Sequence, residues 1–133
     1  MLSAVIGGQA ARVFGLSDGP PIFGASAVRL EILEWLPKLA EKRGLDLGLR
    51  LALLQLLPIT WVESRDYATL ESEARERMRP RDVEDWPTLA VAMTLGDTRD
   101  VAIWTNDKDF EASQVRRVTT AQLLAAIERR PRR

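Results

Sequence analysis

The sequence predicts an α/β protein, a three-layer α/β/α sandwich built on a parallel sheet. Three observations carry that expectation. Short apolar runs of strand length alternate with longer amphipathic stretches, so helices separate the strands and the connections are crossovers, not hairpins. Gly, Pro, Asn, Asp or Ser marks most boundaries, and these residues start and stop regular structure. The 133 residues fit one domain, residues 1–133, with a single sizeable core and no internal repeat.

Taken in order, Ser3–Leu16 carries Val5, Ile6, Ala10, Val13, Phe14 and Leu16 as a helical stripe interrupted by Gly7-Gly8. Ser17-Asp18-Gly19-Pro20-Pro21 is a turn. Ile22–Ala25 reads as a short buried strand. Ser26 is expected to cap a helix over Ala27–Arg43, with Val28, Leu30, Ile32, Leu33, Leu36 and Leu39 on its buried face and Gly44 ending it. Leu45–Leu57 is a leucine-rich helix stopped by Pro58, and Ile59–Val62 is a second strand. Tyr67–Met78 reads as a charged, mostly exposed helix held by i,i+3 and i,i+4 pairs and broken by Arg79-Pro80-Arg81. Asp82 or Asp85 opens the next helix, which runs to about Leu95 with Pro87 in its first turn. Val101–Thr105 and Val115–Val118 are strands, Thr119–Arg129 is a final helix, and 128–133 is a loose basic tail.

Composition removes whole classes of function. The 19 basic and 19 acidic residues cancel, so no global positive field advertises nucleic acid, and any RNA contact has to come from local patches. Cysteine and histidine are both absent. Disulfide frameworks, thiolate and imidazole zinc sites, Ser-His-Asp triads and histidine acid/base chemistry are therefore excluded. Catalysis here has to run on carboxylates, hydroxyls, Lys or Arg, and clustered carboxylates suit hard cations such as Mg²⁺ or Mn²⁺. The N-terminus has too short an apolar part for a secretory leader, and no run reaches the roughly 18 to 20 apolar residues of a membrane span. A soluble cytoplasmic protein is expected.

The candidate site lies in Arg81–Phe110, RDVEDWPTLAVAMTLGDTRDVAIWTNDKDF. In an open α/β sheet, ligands bind outside the carboxyl ends of the strands, where this order places Thr105, Asn106, Asp107, Lys108 and Asp109. Asp82 and Asp85 sit at a helix entrance, where the macrodipole tolerates negative charge. Carboxylates from two elements therefore converge on one cation. Each also has an ordinary reading: Asp85 or Asp82 as a helix cap, Asp107 and Asp109 as turn residues, Glu31 as a solvated helix residue with Glu34 one turn away. Thr105 and Asn106 either orient the carboxylates or satisfy turn backbone. Trp35, Trp61, Trp86 and Trp104 have apolar neighbours and read as packing residues more than as base-stacking platforms. Arg12, Arg79, Arg81 and Lys108 are placed near enough to contact a phosphate backbone.

RDVEDWPTLAVA followed by VAIWTNDKDF resembles the C-terminal half of a PIN domain, the metal-dependent nuclease fold of the VapC-type toxins, and ASAVRLEILEWL adds a match upstream. The resemblance implies that Asp85, Asp107, Asp109 and Glu31 gather around Mg²⁺ or Mn²⁺, with Glu31, Asp85 and Asp107 catalytic and Asp82, Thr105 and Asn106 supporting. It implies an endoribonuclease acting on RNA, the toxin of a toxin–antitoxin pair, with an antitoxin protein and a second copy of the chain as partners. It also exposes a departure. PIN domains open with a central hydrophobic strand ending in an aspartate, whereas Met1–Gly8 corresponds to the helix that follows, so the strand and its aspartate are expected to be missing from this chain. That departure keeps a second expectation open, a catalytically degenerate PIN-like module for binding or dimerisation. A receiver-like doubly wound domain is a third and weaker reading, because the acidic pair such domains carry after their first strand is not visible.

Overall fold

The structure is a computed structural model, and it describes residues 20–129. Strand β1, Ile22–Ala25, runs parallel to β2, Ile59–Val62, with Ile22 opposite Ile59 and Ala25 opposite Val62. Both spans are those the sequence predicts, because short apolar runs bounded by Pro or a helix start leave little choice of length. Gly24 is needed for close approach: a Cβ there would lie 2.6 Å from Trp61 Cζ3, so the indole of β2 covers the β1 backbone.

Helix α1, Ser26–Arg43, leaves β1 directly. Ala25, not the expected Ser26, occupies the cap position, and it makes no side-chain cap bond. Ile32, Leu36 and Ala40 are buried at the four-residue spacing that lines one helix face. Leu30, expected on that face, is 64% exposed. Two residues from Ile32 is about 200° around the helix axis, so it points away from the core. The helix continues through Pro37 and stops at Gly44, whose left-handed φ of 66° lets its N–H turn back to the carbonyls of Ala40 and Glu41. Helix α2, Leu47–Leu56, starts later than predicted because Asp46 caps it, accepting from the Leu49 N–H at 3.0 Å.

The single helix expected over Tyr67–Met78 is broken. Helix α3, Ser64–Tyr67, passes through a 3₁₀ turn, Ala68–Leu70, into α4, Glu71–Met78. Tyr67 and Leu70 leave helical backbone angles at the two joints, and the Tyr67 ring is fully buried there. The expected charge pairs form along α4, Arg75 on Glu71 at 2.7 Å and Arg77 on Glu73 at 2.9 Å. Helix α5, Trp86–Gly96, lies at the centre, with Leu89, Ala90, Val91 and Ala92 buried against Ala25, Tyr67, Ala74, Met78, Ile103 and Phe110.

Strands β3, Ile103–Trp104, and β4, Arg117–Val118, are parallel and shorter than predicted. Beyond them the backbone bonds locally, as where the Val115 N–H is taken by Ser113 Oγ at 3.1 Å. Helix α6, Thr120–Glu128, closes the described chain with a capping box between Thr119 and Gln122. The described residues thus form two two-stranded parallel sheets, β1-β2 and β3-β4, where one continuous sheet is expected. A groove of about 700 Å³ separates them, lined by Ile22–Ala25 on one side and by Ile103, Trp104 and Thr105 on the other. The helix over Ser3–Leu16, the correspondence of Met1–Gly8 to a first helix, and the end of the basic tail, Arg130–Arg133, lie outside the described residues. Among the described residues no helix is long and apolar enough to cross a membrane.

Candidate metal centre

The centre is built where three elements end. β1 hands over to α1, which carries Glu31; β3 hands over to the loop of Asp107 and Asp109; and a 3₁₀ turn, Val83–Asp85, leads into α5. Glu31 follows β1 on α1, Asp107 and Asp109 follow β3, and the charges of all three act on Asp85, so the carboxylates come after the carboxyl ends of β1 and β3, where α/β folds bind ligands.

Asp82 and Asp85 divide the work of the helix entrance. Asp82 caps the 3₁₀ turn by accepting from the Glu84 N–H at 3.1 Å. Asp85 stands at the start of α5 and makes no side-chain capping bond, so capping does not account for its carboxylate. Its pKa is pushed up from 3.8 to about 6, first by burial, then by the negative charges of Asp82, Asp107, Asp109 and Glu31. A carboxylate held among four others in partial burial favours a nearby cation.

The loop after β3 is wound by its own side chains. Thr105 Oγ1 accepts from the Asp107 N–H at 3.0 Å, and Asp107 Oδ1 accepts from the Asp109 N–H at 2.9 Å. These successive turns carry the chain into a 3₁₀ segment, Lys108–Ser113, and set Asp109 half-buried beside Asp85. Asn106 Oδ1 accepts from the Thr120 N–H at 3.1 Å, and Trp104 Nε1 donates to Thr120 Oγ1 at 2.9 Å. Thr105 and Asn106 therefore act as scaffolding that ties the loop to itself and to α6.

Asp82, Asp85 and Asp109 bring carboxylate oxygens within 4.8 Å of one another. Oxygens on one Mg²⁺ are at most about 4.2 Å apart, given bonds of about 2.1 Å, so small side-chain rotations suffice to fit such an ion. The donor set, all carboxylate oxygen, is that of a hard cation. Asp107 and Glu31 are outside this closest group. Both are exposed, and both act on Asp85 through their charge. The sequence places Asp82 in a supporting position, and the geometry brings it into the tightest set. Glu84 and Thr88 are missed from sequence; they line a cavity beside Asp85, and the available signal is that Thr88 lies one helical turn beyond Asp85.

Fold and site together define an α/β domain with an acidic centre at the carboxyl ends of parallel strands, suited to a divalent cation. A family model described as the PIN domain matches residues 1–128, and the chain belongs to that family. PIN domains are generally nucleases and typically depend on divalent metal, which agrees with the acidic cluster. No curated protein and no solved structure matches this chain.

Proposed function

We propose that this PIN domain is a Mg²⁺- or Mn²⁺-dependent endoribonuclease, the toxin of a toxin–antitoxin pair acting in the cytoplasm. The observation that carries the reading is the convergence of Asp82, Asp85 and Asp109, with the Asp85 pKa raised to about 6 by burial first and then by the surrounding carboxylates. Asp82, Asp85 and Asp109 would hold the cation with Asp107 as a further ligand, and Glu31 would orient the attacking water. A bound divalent ion supplies Lewis acidity and a more acidic water for attack on a phosphodiester. The carboxylates also repel the phosphate until a cation neutralises them, so the apo chain is electrostatically closed to RNA.

The test is cleavage of a mixed RNA pool with Mn²⁺, with EDTA, and by Asp107→Asn. Cleavage should require Mn²⁺ and fall at least about a hundredfold in the variant, beyond the usual loss for a group that only orients a ligand. Undiminished cleavage by Asp107→Asn would remove Asp107 from the site.

A second reading, a catalytically degenerate module for binding or dimerisation, is favoured by one specific feature. The large exposed apolar side chains Leu30, Trp35, Leu49, Leu51 and Leu56 all lie on α1 and α2. Exposed apolar side chains concentrated on one helix pair favour an interaction surface there. In the nuclease reading the same helix pair is the seat of a homodimer contact or of the antitoxin. A three-layer sandwich belongs to the proposal as well, with a central strand in the groove between β1 and β3.

A further inference from the structure

A second cavity, of about 290 Å³, opens beside Asp85 between the start of α5 and the first turns of α1. Val28, Trp86 and Pro87 form its apolar walls, and Glu84, Asp85 and Thr88 supply polar atoms. The engineered protein cavity of about 150 Å³ that binds benzene gives a scale: this one has room for a fused two-ring base. We propose that it is a nucleobase subsite selecting a base with an exocyclic amino group, guanine above all, next to the phosphate at the carboxylates. The inference rests on the nuclease reading and adds the base that such an enzyme would choose.

Shape and chemistry both point to a base. Trp86 is only partly buried, and its ring is held by two neighbours: the Tyr67 ring packs in a T-shaped contact at 5.8 Å, and the Arg75 guanidinium lies over the ring 5.1 Å from its centroid. A rigid indole forming part of a cavity wall is a stacking surface, and stacking on aromatic side chains is how proteins hold unpaired bases. Stacking is indifferent to base identity, so the choice falls to the polar lining. Among the described residues that line the cavity there is no Lys, Arg, Asn or Gln; the polar groups are carboxylates, which only accept, and the Thr88 hydroxyl. Uracil presents one N–H between two carbonyl oxygens and meets such a wall with acceptor against acceptor. Adenine and cytosine each offer an amino group. Guanine offers N1–H and the N2 amino group side by side, matching the two oxygens of one carboxylate. Asp85 and Glu31 belong to the cation site, which leaves Glu84, exposed at the rim, as the base-reading carboxylate.

The test is binding of guanosine, adenosine, cytidine and uridine 5′-monophosphates to the full chain with Mg²⁺, followed by NMR, beside cleavage of RNA oligonucleotides differing at one base. Guanosine monophosphate should bind about tenfold tighter than uridine monophosphate, and Glu84→Gln, whose amide also donates, should cut that preference to about threefold or less. Shifts should centre on the Trp86 indole N–H and the Thr88 amide. Equal affinities, shifts centred elsewhere, or an undiminished preference in Glu84→Gln would overturn the subsite. RNA cleavage without base preference removes the subsite and leaves the nuclease standing. Guanine-selective binding at Trp86 without any RNA cleavage removes the nuclease and keeps the subsite.

Discussion

Helices α2 and α5 are almost equally apolar, LGLRLALLQL and WPTLAVAMTLG, yet they are used in opposite ways. In α5, Pro87, Leu89, Ala90, Val91 and Ala92 are all buried, with β1 and β3 on one side and α4 packed against it. In α2 only Leu54 is buried, while Leu56 remains 77% exposed and Leu49 53%. A helix apolar all round is ordinarily an interior helix. α5 fits that rule within this chain. α2 does not satisfy it among the described residues. The difference also separates two tasks: the buried helix carries Asp85 at its entrance, and α2 leaves Leu49 and Leu56 exposed.

Three measurements break or sharpen this contrast. The largest effect is expected from Leu89→Ala, which removes a fully buried side chain from α5 and should cost about 2–5 kcal/mol in denaturant unfolding. Leu56→Ala should stay within about 0.5 kcal/mol in the isolated chain. Similar costs for the two would erase the distinction between the helices. The next effect concerns association: Leu56→Glu should weaken any dimer by at least about tenfold, roughly 1.4 kcal/mol, in sedimentation or scattering. A dimer unaffected by that change would place the interface elsewhere.

The smallest effect is a pH dependence from Asp85. Its folded-state pKa of about 6 lies above the ordinary 3.8, so between those values the folded chain binds more protons than the unfolded one. Stability of the metal-free chain should therefore decline as pH rises from about 4 to about 6, and the penalty should be complete above that. Asp85 is partly exposed, so solvent softens the slope. Asp85→Asn in EDTA should lose this contribution and be the more stable form at neutral pH. Identical pH profiles for the two proteins would show that the carboxylate is less crowded than its neighbours suggest.

Much of the chain was legible before folding. The limits of β1 and β2 follow from apolar runs closed by breakers, and Gly44 is read correctly as helix punctuation because it acts through local backbone geometry. Errors fall where tertiary contact overrides local pattern. Tyr67 turns its ring into the core and breaks a helix that the charge pairs of α4 would otherwise extend. Leu30 counts as apolar in any helical stripe, yet it faces outward because the core lies along Ile32, Leu36 and Ala40.

The candidate site divides in the same way. Which residue types are available, carboxylates without histidine or cysteine, is a property of composition, and so is the preference for a hard cation. The motif around Asp85 and Asp107 carries the resemblance to the PIN family, and the family match over residues 1–128 bears it out. Only the tertiary structure decides that Asp82 joins Asp85 and Asp109, that Asp85 is the carboxylate whose pKa burial and neighbouring charges raise, and that Glu84 and Thr88 line a cavity with Trp86. Sequence specifies chemistry residue by residue, but burial and the summed field at a carboxylate depend on distances between elements far apart in the chain, and those exist only once the elements pack.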